Sequence, residues 1–177
     1  MKEQNPSYKI RTLEEKDLAS LRALHHAIID EDTYRRAPGE YADDEAFAKW
    51  NVQILENPNN VYLVALSDAH GKDSVIGFIR FLQNFSRRRT RHNGSFTIGV
   101  HEKFRSKGVG QALLDSLLGE LKNIEIERVS LQVFKDNQGA LRFYERNNFT
   151  ASGTLPGEIK TEDGRYRDLI LMHRWIK

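Results

Sequence analysis

The chain contains no cysteine. That excludes disulfides, thiolate metal sites and a cysteine nucleophile, and it suits a cytoplasmic protein. No apolar run approaches the ~20 residues needed to span a bilayer. The opening MKEQNPSYKI shows no apolar signal segment, so no membrane partner is expected. An excess of one charge is missing too. Twenty-seven basic against 25 acidic residues leave a formal +2, which gives no general reason to expect nucleic acid as a partner. Internal repeats, low-complexity stretches and a linker are also absent. What remains is 177 residues with 39% hydrophobic and 29% charged content, enough for one compact domain with a real core.

The apolar periodicity sets the order of elements. Tyr8-Lys9-Ile10-Arg11 reads as a short strand, and Thr12 with Glu15 fits a capping box that opens a helix. Leu18, Leu21, Leu24 and Ile28 give that helix its stripe, which fails at Asp30-Glu31-Asp32. Pro38-Gly39 punctuates a loop, and Asp43 or Asp44 caps a second helix carrying Phe47, Trp50, Val52 and Leu55. Strands follow at 61–66, 75–82 and 94–100, the first two separated by a turn at His70-Gly71-Lys72. Val109, Ala112, Leu113, Leu117 and Leu121 lie on one face of a third helix. Val129, Leu131 and Val133 alternate as a strand, and Asp136 or Asn137 caps a fourth helix through Arg146. Segments 150–160 and 166–175 form a hairpin around Glu162-Asp163-Gly164. The order is β-α-α-β-β-β-α-β-α-β-β, an α/β protein with one mixed sheet and a parallel crossover from the fourth strand to the fifth.

The third helix starts on a basic, glycine-punctuated turn, Arg105-Ser106-Lys107-Gly108-Val109-Gly110. The first N–H groups of a helix lack intrahelical partners and the dipole favours negative charge there, so this turn is an anion site. Gly108 and Gly110 allow close approach, and Arg105 and Lys107 add charge. Such turns also occur as plain strand-to-helix connections. A P-loop is ruled out because Gly-Lys-Ser/Thr does not follow the glycines, and the acidic residue of a dinucleotide fold is absent. A second run adds weight. Asn137, Ala140 or Leu141, and Tyr144 share one helix face just after the next parallel strand.

With these two runs the chain resembles the GCN5-related N-acetyltransferase (GNAT) superfamily. Val100…Arg105-x-x-Gly108-x-Gly110 resembles its pyrophosphate motif, and Val133…Asn137…Ala140…Tyr144…Phe149 resembles the motif after it. The order of elements from Ile10 to Met172 matches as well. The last third looks like a bacterial branch that acetylates amino acids or protein N-termini. Departures are Glu102 for a frequent proline, Ser106 for a frequent glycine and Asn148 for a frequent glycine. The strand Ser95 to Val100 lacks the glutamate that some members use as general base.

The resemblance implies a single N-acetyltransferase domain over residues 1–177 in the GNAT fold. It implies acetyl-coenzyme A as co-substrate, no metal, a small-molecule amine acceptor and a possible homodimer. The cofactor would be held by Ile98, Gly99 and Val100 as an added strand edge for pantetheine. The run Arg105, Ser106, Lys107, Gly108, Val109, Gly110, Gln111 and Ala112 would take the pyrophosphate. Asn137, Ala140 and Tyr144 would complete the cofactor site. Val100 N–H is the family-based oxyanion donor and Tyr144 the catalytic acid for the leaving thiolate. Tyr144 also reads as a core residue, and Asn137 as an N-cap; the linked motifs favour the acid role for Tyr144. His25, His26, His92, His101 and His173 are candidate bases. The run Arg87-Arg88-Arg89-Thr90-Arg91-His92 is a solvated loop or an attractor for an anionic acceptor. Tyr34, Trp50 and Phe85 line an acceptor pocket or belong to the core. Protein N-terminal, lysine or polyamine acetylation, or a non-catalytic acyl-coenzyme-A-binding module, are the alternatives.

Overall fold

The computed structural model describes residues 7–29, 43–68, 73–84, 88–161 and 163–176. The expected features at Asp30-Glu31-Asp32, Tyr34, Pro38-Gly39, 70–72, Phe85, Arg87 and Glu162 lie outside them. The elements are β1 (Lys9–Thr12), α1 (Leu18–Ile29), α2 (Asp44–Leu55), β2 (Val61–Ser67), β3 (Ser74–Gln83), β4 (Asn93–Val100), α3 (Val109–Asn123), β5 (Arg128–Phe134), α4 (Gln138–Arg146), β6 (Thr150–Lys160) and β7 (Tyr166–Trp175). The seven strands are hydrogen-bonded in the order β1-β2-β3-β4-β5-β7-β6. This is the order of elements that the sequence periodicity gives. Two compact units share β4: Met1–Leu82 with Thr97–Ile124, and Gln83–Phe96 with Glu125–Lys177.

In the first unit β1, β2 and β3 are antiparallel neighbours. Strands β2 and β3 are buried along most of their length, so they read as near-continuous apolar runs. One cluster joins Leu21, Leu24 and Ile28 of α1 and Phe47 and Ile54 of α2 to Tyr62, Val64, Leu66 and Phe78. In α3, Val109, Leu113, Leu117 and Leu121 have no exposed surface. Val52, expected on the apolar stripe of α2, is instead 36% exposed. Ile54 takes its place in the cluster, because the buried face of α2 follows Phe47 and Ile54.

The start of α1 also differs from expectation. Thr12 is the last residue of β1, paired with Leu63, so it is not free to cap. Glu14 and Asp17 form the capping box, around a 3₁₀ turn at Glu15–Asp17. Arg11 selects this arrangement by donating to both Asp17 carboxylate oxygens, at 2.6 and 2.8 Å. Asp43 caps α2 by accepting the Ala46 N–H at 2.9 Å.

In the second unit β5 and β7 pair antiparallel over seven positions, from Arg128–Trp175 to Phe134–Leu169. Strand β6 pairs with β7 through two bulges. The β4–β5 ladder is parallel, as the crossover requires, and runs only from Asn93–Arg128 to Ser95–Ser130. Among the described residues no helix is long and apolar enough to cross a membrane.

Candidate active site

Strand β4 ends at Ile98-Gly99-Val100 and passes through a 3₁₀ turn, Glu102–Phe104, that the sequence reading did not anticipate. His101 caps this turn, its Nδ1 accepting the Lys103 N–H at 3.3 Å. Phe104 is buried and anchors it. The basic turn then leads to α3. Arg105 folds back, and its Nε donates to the Val100 carbonyl at 2.9 Å. Ser106 and Gly108 both take left-handed backbone, with φ of 59° and 83°. That explains a glycine preference at both positions.

Gly108 is the N-cap of α3, and the first intrahelical bond runs from Ala112 N–H to Gly108 O at 3.0 Å. The Val109 and Gly110 N–H groups precede that bond and have no intrahelical acceptor. Two of the expected pyrophosphate donors are already committed: Ala112 N–H to Gly108, and Arg105 N–H to Glu102 O. The Val109 side chain is fully buried, so only its amide can serve. Gln111 directs its side chain along the helix to Asp115, at 3.0 Å. Lys107 makes no ion pair or hydrogen bond among the described residues. A side chain at Gly108 would meet nothing closer than the Tyr8 hydroxyl, at 3.7 Å. Free amides, an unengaged lysine and an open glycine N-cap fit a pyrophosphate group.

Gly99 serves packing. A Cβ there would stand 2.6 Å from Phe78 Cε1 and 2.8 Å from Ile28 Cδ1. Gly77, which the sequence reading passed over, likewise lets α3 approach; a Cβ there would lie 3.1 Å from Leu113 and 3.2 Å from Val109.

In the second unit Asn137 caps α4, its Oδ1 accepting the Ala140 N–H at 3.0 Å. Ala140 therefore offers no amide. The helix ends in a Schellman motif: Phe149 N–H donates to Tyr144 O and Asn148 N–H to Glu145 O, both at 3.0 Å. Asn148 holds the left-handed position, φ 61°. The Tyr144 ring sits among Phe96, Phe143 and Phe149, at centroid distances of 6.1, 5.3 and 5.8 Å. Its hydroxyl makes no hydrogen bond among the described residues. Burial raises the phenol above its ordinary value, which keeps it protonated. Tyr144 is thus a core residue whose phenol stays protonated.

Residues 21–149 match the model of the acetyltransferase (GNAT) family. The chain belongs to that family. Membership makes it an acetyl-coenzyme-A-dependent N-acetyltransferase. It is 27% identical over 112 residues to acetyltransferase PseH of Campylobacter jejuni, covering 63% of this chain and 64% of that protein. It is 28% identical over 126 residues to the L-amino acid N-acetyltransferase AaaT of Escherichia coli, covering 71% and 74%. The structure of yncA from Salmonella typhimurium, solved with its cofactor acetyl-CoA, shares the fold. It superposes with a TM-score of 0.81 at 20% identity, covering 97% of this chain and 95% of that one.

The histidines of this acetyltransferase are not equivalent. His25 is 1% exposed and stacks on Phe78 at 4.5 Å. Burial, with help from the Arg80 charge, lowers its pKa to about 3, so it is a poor base. His92 contributes its carbonyl to Glu127 and Arg128 N–H groups. His173 Nδ1 shares a 2.5 Å hydrogen bond with Ser152 Oγ on the β6–β7 hairpin. Arg88, Arg89 and Arg91 of the basic run are exposed on a 3₁₀ turn and the residues after it.

Arg80 was missed. It is 2% exposed, with its guanidinium 4.4 Å over Trp50 and 5.8 Å from the Tyr62 ring. The signal was present: it is the one charge in the apolar run 75–82. Among the described residues no cluster of three or more His, Asp or Glu is placed to hold a metal ion.

Proposed function

We propose that this acetyltransferase acetylates the amine of a small molecule, an L-amino acid or an analogue of one. The observation that carries the donor half is the glycine N-cap of α3, with Val109 and Gly110 amides and a Lys107 side chain that bond nothing among the described residues. The acceptor half is supported by AaaT, described as an L-amino acid N-acetyltransferase. Acetyl-coenzyme A, when bound, supplies the acetyl group as a thioester. The Val109 and Gly110 amides and Lys107 hold its pyrophosphate. Asn137 engages its pantetheine arm through the Nδ2 group that capping leaves over. Val100 N–H donates to the carbonyl oxygen as negative charge develops. Tyr144 Oη, kept protonated by burial, delivers the proton that the leaving sulfur needs. The acceptor must arrive as neutral amine. His25, buried and with its pKa lowered, is a poor base for it, which leaves water or a less buried group.

The test is thiol release from acetyl-coenzyme A across a panel of L-amino acids, amino acid analogues, polyamines and peptides with free N-termini. The expected result is that amino acids or their analogues give the highest kcat/KM. A peptide or polyamine that outpaces every amino acid overturns the acceptor assignment.

A further inference from the structure

The corner between β5 and α4 is gripped by two neighbouring residues of β7, in opposite charge order. Asp136 accepts two bonds from Arg167, Nε at 3.1 Å and Nη2 at 2.7 Å. Lys135 Nζ donates to Asp168 Oδ2 at 3.0 Å. Adjacent strand residues point to opposite faces of a sheet, so Arg167 and Asp168 hold the corner from both sides. Each grip is anchored further. The Arg167 guanidinium lies 3.8 Å over the Phe134 ring, and its side chain is only 18% exposed. Asp168 Oδ1 accepts the N–H of Gly157, which sits in a β6 bulge with φ 62°. The backbone follows: Lys135 N–H donates to Asp168 O at 3.1 Å, and Asn137 N–H to Phe134 O at 3.0 Å.

Seven β5–β7 pairs already join the strands. The Asp136 carboxylate is exposed but the Arg167 side chain is only 18% exposed and bonds it through two atoms, so the pair adds to stability as well. The clasp also fixes direction. It ends one residue before Asn137, the cap of α4, and a bidentate arginine constrains orientation more than a point charge does.

We propose that Arg167 is a positioning residue, which through Asp136 sets Asn137 and the first turn of α4 for the cofactor. The proposal rests on the reading above that Asn137 engages pantetheine. Arg167→Met removes the fork, and with it the cation over Phe134, while keeping a long side chain at the position. It should raise Kd and KM for acetyl-coenzyme A about tenfold while leaving the KM of the amine within about twofold, a split that a general loss of stability does not produce. Arg167→Lys should recover only part of the affinity. Adding Asn137→Ala or Asp136→Asn to Arg167→Met should cost less than about twofold more, because the residues act as one unit. Calorimetry with acetyl-coenzyme A, steady-state kinetics and melting temperatures are measured on the full chain. Unchanged affinity in Arg167→Met, or losses that multiply with Asn137→Ala, overturns the proposal. If Arg167→Met does not fold, Arg167→Lys and Asp136→Asn carry the same comparison. Should Asn137→Ala and Gly110→Leu also leave affinity untouched, the cofactor-site assignment falls instead.

Discussion

Tyr144 and Phe149 are tied together twice. The Phe149 N–H donates to the Tyr144 carbonyl at 3.0 Å, and the two rings meet edge-on at 5.8 Å. A backbone turn and an aromatic contact thus hold the same two residues, as a Schellman motif with its hydrophobic clasp does. The ring that carries the proposed acid is therefore fixed at its base and along its side, while the hydroxyl bonds to no described residue.

That fixing predicts a clean separation in Tyr144→Phe. The ring contacts persist and no described hydrogen bond is lost. The melting temperature should stay within a few degrees, with cofactor affinity unchanged. Turnover should fall about 10²–10⁴-fold, the usual contribution of a general acid. Steady-state kinetics beside a thermal melt decide it; undiminished kcat would pass the acid role to another group.

Ser106 and Asn148 both hold left-handed backbone, at φ 59° and 61°. Serine tolerates this conformation less well than asparagine. Ser106→Gly should therefore raise stability by up to about 1 kcal/mol, after the extra entropy of a glycine is offset. Asn148→Gly should gain less. Denaturant midpoints for the two variants compare them directly.

Gly99 and Gly110 should respond oppositely to alanine. At Gly99 the new methyl meets Phe78 at 2.6 Å and Ile28 at 2.8 Å, both buried, so stability should drop by about 1–3 kcal/mol. At Gly110 the nearest atoms are 3.8 and 4.0 Å away, ordinary contact. Gly110→Ala should fold as well as the parent and lose cofactor affinity instead. Equal affinity by calorimetry would remove Gly110 from the phosphate site.

His25 gives the stability curve an acid limb. Its pKa is lowered from 6.5 to about 3 in the folded chain, so the unfolded chain binds more protons between those values. The stabilisation is complete above the unfolded value and is lost as pH falls toward the folded one. The slope is at most about 1.4 kcal/mol per pH unit. Urea titrations from pH 7 to 4 should show the decline, and His25→Phe should flatten it. A decline of the same slope in that variant would assign it to carboxylates.

Local features are set by residues close together in the chain. The order of strands and helices follows from apolar spacing within single segments. The anion turn at 105–110 and the Asn137 cap follow from residue types a few positions apart, and the family resemblance rests on those same runs. The Ala112 and Ala140 amides are taken up by Gly108 and Asn137. Features that join residues distant in the chain arise only on folding. Thr12 looked like a cap until the β1–β2 ladder claimed it and Arg11 organised Asp17. Gly99 is required by Phe78 and Ile28, neither of them nearby in sequence. His25 is a poor base because α1 carries it into an apolar core beside Arg80, and desolvation is a property of the packed chain. Arg167 and Asp136 became partners only when β7 was laid against β5.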